Sequence, residues 1–249
     1  MWGDYIVSGN ETKRPISEGA EAELYKVYNV LNLGEVELVD YLGSDSTIAR
    51  AARTSYQRSD GKTPDDDRRL IARLWRDRHT SPFEMVSLTF RIRLPIFVMR
   101  QHVRHRTASL NEWSFRYTEC PELFYVPAED DVRGQSASNK QMSAGVLPPD
   151  ESLQAIGIIG QVNRSAFESY KKLIALGVAR EQARVVLPVS AYTQIVWNMD
   201  MRNLLHYLSL RLPTEAQKEI REYAQVIAGI VKRGWPMIWE AYDSTSNKK

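Results

Sequence analysis

Two hydrophobic rhythms run through this chain without taking regular turns, and that restricts the folds open to it. Leu88, Phe90 and Ile92 alternate with Thr89, Arg91 and Arg93, the two-residue period of a half-buried strand. Val36 and Leu38 alternate with Glu35 and Glu37 in a second strand ending at Gly43, and Thr193, Ile195, Trp197 and Met199 share one side of a third. Elsewhere the spacing is helical. A short helix is expected over 48–53, and Leu70, Ile71, Leu74 and Trp75 form an apolar stripe with acids before it and basic residues after. Ser81-Pro82-Phe83-Glu84 reads as a capping box with proline in the first turn. Pro95 stops the strand before it and opens a helix through 96–99. Further helices are expected over 152–176 (ended near Gly177), over 180–186 (stopped by Pro188), and along the face of Leu204, Leu205, Leu208 and Leu212. Thr214 with Gln217 reads as the cap of the last long helix, which Pro236 ends or kinks. Strands and helices mix without the regular alternation of a doubly wound sheet, so the fold class is α+β.

Three stretches resist the periods. Residues 1–34 read as an N-terminal extension that packs on a neighbour or stays mobile, leaving 35–249 as a single domain. Between Thr107 and Tyr117 the periodicity breaks down. Leu123-Phe124-Tyr125-Val126, apolar and bounded by prolines, suggests a buried strand, and the Ser-, Gly-, Asp- and Pro-rich 128–150 a long surface loop or flap.

The formal net charge of +2 is too small for a whole-chain field that draws the protein onto nucleic acid or an anionic membrane. No apolar run approaches the ~18 residues of a membrane span. The first residues lack the basic and apolar regions of a secretory signal, so a cytoplasmic location is expected. One cysteine, Cys120, leaves no internal disulfide or multi-thiolate site. The four histidines form no ligand pattern with the carboxylates, so no metal is expected.

Charge concentrates instead in one place. Between Arg91 and Arg116 lie Arg91, Arg93, Arg100, Arg104, Arg106 and Arg116 against Glu112 alone, a local balance of +5. Interleaved with them are His102, His105, Asn111 and Ser114, groups that recognise ligands. Planar guanidinium groups in such a segment suit phosphate; a solvated basic surface is the alternative. Gln101 and Arg104, three apart, are expected to share a helix face.

Arg104-His105-Arg106 followed after seven residues by Ser114 resembles the signature of the flavin-dependent thymidylate synthases. Ser109, Asn111, Glu112 and Arg116 fit its longer form. The resemblance extends to His79-Thr80-Ser81-Pro82-Phe83-Glu84, to Pro95-Ile96-Phe97-Val98 with Arg100-Gln101, to 183–188 and to 202–211. It runs from about Val36 to Tyr242. Asp200 and Met85 depart from it, standing where asparagine and histidine are frequent.

The resemblance implies the family's own fold, a small antiparallel sheet packed against several helices. It implies dUMP as substrate, FAD as bound cofactor, and methylenetetrahydrofolate and NADPH as co-substrates. Gln101, Arg104, Glu112, Ser114, Arg116 and Arg184 would hold dUMP, and Arg211 would face the uracil ring as the catalytic cation. Ser55, His79, Ser81, Arg104, His105, Arg106, Glu112, Asp200, Arg202 and His206 would meet FAD. A homotetramer with active sites shared between subunits is implied as well. Blander roles compete: Ser114 as a turn residue, Ser81 as a cap, Arg184 and Arg211 as helix-end charges, Arg202 and His206 as an exposed pair.

No G-x-G-x-x-G is present, so side chains would have to hold the flavin. Cys120, between Glu119 and Pro121, is a poor candidate for the thiolate nucleophile of the unrelated cysteine-dependent synthases. A nucleic-acid module in which Trp113, Phe115 and Tyr117 stack on bases, or a flavoprotein reductase of other specificity, are the rival readings.

Overall fold

The computed structural model describes residues 14–55, 63–140 and 142–246. Seven strands and nine α-helices are found among them: α1 (Glu18–Glu21), β1 (Val27–Val30), β2 (Gly34–Leu42), α2 (Asp45–Thr54), α3 (Pro64–Arg76), β3 (Ser87–Pro95), α4 (Ile96–His102), β4 (Ser109–Glu112), β5 (Arg133–Gln135), β6 (Ser143–Val146), α5 (Pro149–Ala175), α6 (Arg180–Ala183), β7 (Tyr192–Asp200), α7 (Met201–Arg211), α8 (Lys218–Gly234) and α9 (Pro236–Ser246). Five strands form one sheet in the order β1-β2-β3-β7-β4, and every neighbouring pair is antiparallel. The fold is α+β, with the helices packed on this sheet.

The alternation in β3 sets the layers. Leu88, Phe90, Ile92 and Leu94 are buried, beside Ile195, Trp197 and Met199 of β7. Leu204, Leu205 and Leu208 of α7 and Ile220, Tyr223, Ile227 and Val231 of α8 cover them in the same core. On the intervening positions Glu35 stands opposite Arg93 and Glu37 opposite Arg91. Both pairs form ion pairs, as oppositely charged cross-strand neighbours do. A second, smaller core gathers Phe115, Cys120, Phe167, Tyr170, Ala183 and Ala191 where α5 and α6 meet the loop after β4.

Several local expectations change. Within the stretch 1–34, β1 pairs with β2 as the sheet's edge strand, and Ser17 accepts from the backbone of Ala20 to start α1. Gly34 makes the hairpin possible, since a Cβ there would lie 2.0 Å from the Tyr223 hydroxyl. The earlier part of that stretch, 1–13, lies outside the described residues. Leu123–Val126 is not a buried strand. It makes a single bridge, Phe124 to Ala191, flanked by the bonds from Tyr125 N–H to Ser190 and from Tyr192 N–H to Leu123; Pro121 and Pro127 cannot donate to extend the ladder. The 128–150 stretch carries a two-stranded antiparallel hairpin, β5 with β6.

The caps differ too. Ser81 begins a single 3-10 turn, Ser81–Met85, which has no side-chain cap bond. Neither Thr214 nor Gln217 caps α8; Arg221 donates to the carbonyls of Thr214 and Ala216 instead. Pro236 opens α9, whose first N–H groups, Met237 and Ile238, donate to the Asp45 carboxylate from α2. The broken period after Thr107 conceals β4, a short strand that is almost wholly exposed and therefore has no buried face to write an alternation.

Candidate active site

The later part of the arginine-rich segment flanks β4, the sheet's far edge strand. β4 pairs with β7 so that Glu112 lies opposite Ile195, and Thr193 donates its hydroxyl to Glu112 Oε1 at 2.9 Å. The chain then turns: Ser114 Oγ accepts from Arg116 N–H at 3.3 Å, and the Tyr117 and Thr118 N–H groups return to Ser114 O. The turn role foreseen for Ser114 is thus present. A cavity of about 280 Å3 opens here, lined by Glu112, Trp113, Ser114, Phe115 and Arg184. Arg184 reaches it from the 3-10 turn Arg184–Val186 that follows α6.

A second group forms where α4 and α7 meet. α4 ends at His102 with Val103 as its C-cap, so Gln101 and Arg104 do not share a helix face; Arg104 sits in the turn beyond. Just past it, His105 meets Arg211, the last residue of α7: Arg211 Nε donates to His105 Nε2 at 3.1 Å. Guanidinium has no acceptor, so that imidazole nitrogen is unprotonated and His105 is neutral. Burial, then the charges of Arg211 and His206, hold it down to about 4. Tyr207 supports the ring, 4.8 Å away and edge-on. On its other side Tyr207 stacks with His102 at 5.4 Å, and burial, then His105 and Arg211, lower His102 to about 3.

Those two histidines predict an acid limit. Each binds a proton in the unfolded chain below about pH 6.5 that the folded protein refuses until about 4 or 3, so stability is present above 6.5 and is lost as pH falls through that window. Asp45, raised by burial to about 6, works in the opposite direction, its contribution being lost as pH rises through 6. His102→Phe, keeping the ring stack, should flatten the stability-versus-pH slope between 4 and 6 by up to about 1.4 kcal/mol per pH unit. Urea melts at stepped pH measure this, and equal slopes would refute it.

A third group lies at the start of α7. Asp200 is its N-cap, accepting from the Asn203 N–H at 3.0 Å and its side-chain amide at 2.6 Å. Both oxygens are engaged, so the departure at this position has a structural role. Arg202 donates to Thr80 Oγ1 at 3.0 Å and pairs with Glu84 at 3.3 Å, fastening α7 beside Ser81. Arg202 and His206 are exposed, opposite the leucine face. Gln101 donates to Gln217. Ser55 is the exposed C-cap of α2, and His79 is exposed after α3, its N–H bonded to Leu74 O. No described contact brings either to the other groups.

The cationic excess is smaller than the count of arginines. Arg91 and Arg93 are spent on Glu37 and Glu35, and Arg116 reaches Glu181 at 3.4 Å. Among the described residues, Arg104, Arg106, Arg184 and Arg211 make no ion pair. Sequence spacing missed Thr193, Gln217 and Tyr207, whose contacts depend on strand pairing and helix packing. Among the described residues no group of three or more His, Cys, Asp or Glu could hold a metal ion, and no helix is long and apolar enough to cross a membrane.

Cys120 is buried, its N–H donating to the Tyr170 hydroxyl at 3.1 Å. Burial alone pushes its thiol up to about 12. The cause is desolvation; the neighbouring Glu119 instead faces Arg180 at 3.7 Å.

Comparison with known proteins adds to this geometry. The family described as thymidylate synthase complementing protein matches residues 37–237. The flavin-dependent thymidylate synthase of Wolbachia pipientis is 44% identical over 93% of this chain and 81% of its own length. That of Thermus thermophilus is 49% identical over 86% of this chain and 77% of its own. A UMP/dUMP methylase, PolB from Streptomyces cacaoi, solved with 5-Br dUMP, superposes with a TM-score of 0.79 at 35% identity, covering 87% of this chain and 97% of that one. The likeness to these synthases and to a methylase of the same fold makes this chain an enzyme of the methyltransferase class. The chain belongs to the thymidylate synthase complementing protein family, that of the flavin-dependent thymidylate synthases.

Proposed function

We propose that this enzyme reductively methylates dUMP to dTMP, with methylenetetrahydrofolate as carbon donor and NADPH reducing bound FAD, and releases tetrahydrofolate. The observation that carries this reading is the contact between Arg211 and His105, which joins the last turn of α7 to the signature segment and leaves a cation beside a neutral imidazole. Gln101, Arg104, Glu112, Ser114, Arg116 and Arg184 hold the nucleotide in this reading, the arginines on its phosphate. Arg211 faces the pyrimidine, where a fixed positive charge stabilises the negative charge that develops as C5 attacks the one-carbon unit. Thr193 orients Glu112 through their hydrogen bond.

The residues present suit a flavin dinucleotide. Arg104 and Arg106 offer exposed guanidinium groups without acidic partners, a donor set for pyrophosphate, and Ser81 is not part of any cap bond. His79, His105, Glu112, Arg202 and His206 complete the set, with Ser55 more distant along the chain; Asp200 contributes through the helix it starts. When bound and reduced by NADPH, the flavin would supply the hydride that completes the methyl group. A cavity of about 280 Å3 is small for a nucleotide and a flavin together, since ligand pockets run from ~300 to ~1,000 Å3. The separation of the candidate residues into groups favours sites completed by neighbouring subunits, in the homotetramer that the family resemblance implies. A cytoplasmic setting accords with this chemistry.

The test is anaerobic turnover with C5-tritiated dUMP. Tritium release from it that requires the folate and NADPH together is expected. In a parallel aerobic assay, NADPH oxidation that runs to oxygen without dUMP would favour the reductase reading, and salt-sensitive gel shifts indifferent to dUMP the nucleic-acid one. Cys120→Ala should leave turnover within about twofold of wild type, because a thiol buried this way supplies no thiolate; abolished turnover in a folded variant would overturn the flavin route.

A further inference from the structure

Gln101 belongs to a chain of side chains that ends on a buried carboxylate. Glu219, at the start of α8, is 5% exposed. It accepts from Arg133 of the β5–β6 hairpin, from the Tyr125 hydroxyl at 3.1 Å, and from Gln217 Nε2 at 2.7 Å. Gln217 Oε1 in turn accepts from Gln101 Nε2. An ion-paired carboxylate can only accept, so Gln217 must turn its NH2 towards Glu219. Its carbonyl then faces Gln101, which must answer with its own NH2. The carbonyl oxygen of Gln101 is left for a ligand, with one N–H of its NH2 beside it.

We infer that Glu219, acting through Gln217, fixes the amide of Gln101 so that it presents an acceptor to the nucleotide, and that this sets specificity. The inference rests on the proposed dUMP reading. One N–H of Gln101 stays free beside that oxygen, but the oxygen itself would repel a phosphate dianion, so it serves a part of the nucleotide that donates: the ring N3–H or the sugar 3′-OH. Uracil carries a proton on N3, whereas the cytosine N3 is an acceptor and would meet the Gln101 oxygen with lone pair against lone pair. A free amide would flip to suit either base; a fixed one discriminates, because a mispaired polar group costs more than a made bond returns. Glu219 and Gln217 are positioning residues here. The relay also accounts for the missing α8 cap, since Gln217 spans Gln101 and Glu219 instead of bonding the helix's own N–H groups.

The test uses the FAD-loaded protein and three probes: dUMP, dCMP (no N3 proton) and 2′,3′-dideoxyuridine monophosphate (no 3′-OH). Affinities come from competition against the dUMP-induced change in the flavin spectrum. Gln217→Leu removes the relay at an exposed position, and Gln217→Lys replaces an acceptor by a donor, which should turn the Gln101 amide around. Wild type is expected to favour dUMP over the analogue lacking the donor that Gln101 meets. That ratio should narrow by about tenfold in Gln217→Leu, the worth of one hydrogen bond, and narrow further in Gln217→Lys. The added charge acts alike on all three monophosphates, so the ratio isolates amide orientation. Narrowing in the dCMP arm assigns the base, and in the dideoxy arm the sugar. Unchanged ratios in both arms, with wild type binding dUMP, overturn the relay alone. Failure of wild type to bind dUMP overturns the substrate reading as well.

Discussion

Arg211→Ala is expected to keep its FAD and lose most of its chemistry. Tritium release from C5-labelled dUMP should fall by about 100-fold or more, the usual cost of removing one fixed charge that stabilises a developing anion. The side chain is half-buried and touches His105 through a single hydrogen bond, so the fold should survive the change. Its loss also removes one of the charges that hold His105 low, and the imidazole should titrate nearer its ordinary value. A variant that releases tritium at the wild-type rate would take away the role given to Arg211. A variant that arrives without flavin would instead make it a cofactor anchor.

The second large effect concerns the scaffold. Trp197 of β7 is fully buried, with its ring 6.3 Å from Phe90, 5.5 Å from His102 and 5.1 Å from Tyr207. One side chain therefore joins β3, α4 and α7. β7 also holds β4, with Leu110 directly opposite Trp197, so the strand carrying Glu112 depends on it. Trp197→Ala should cost about 3–5 kcal/mol and lower the melting temperature by roughly 10 °C in a chain of this size. Phosphate-site and flavin-site residues should be disturbed together. Melting followed by flavin fluorescence and by circular dichroism reads both, and a loss below about 1 kcal/mol would mean that the core closes around the gap.

What the sequence disclosed follows from which forces write a local pattern. β3 and β7 are flanked on both sides in the sheet and bury alternate residues, so their period of two was plain, as were the amphipathic α3 and the leucine face of α7. β4 was hidden because an exposed edge strand needs no apolar alternation; its pairing to β7 comes from backbone bonds that any side chains permit. The β5–β6 hairpin was hidden in the same way, held by Arg133 on the nearby Asp131 and on Glu219, the latter a distant partner that leaves no local trace. Thr214 and Gln217 had the spacing of a cap, yet a tertiary bond from Gln101 and a local one to Glu219 claimed Gln217. The arginine excess was legible as a count but not as a charge, because the acids that neutralise Arg91 and Arg93 lie on a neighbouring strand. His105 and Arg211 are far apart in the chain; the family resemblance assigned them to different ligands, and no period foretold the hydrogen bond between them.

A visible absorption spectrum of the purified protein, followed by titration with dUMP, tests the central claim most directly. The expected result is a yellow protein with FAD at about one per chain, as side-chain binding by guanidinium groups requires, and a flavin band that shifts saturably as dUMP binds beside it. A colourless protein that takes up no added FAD, or a flavin band indifferent to dUMP, would contradict it.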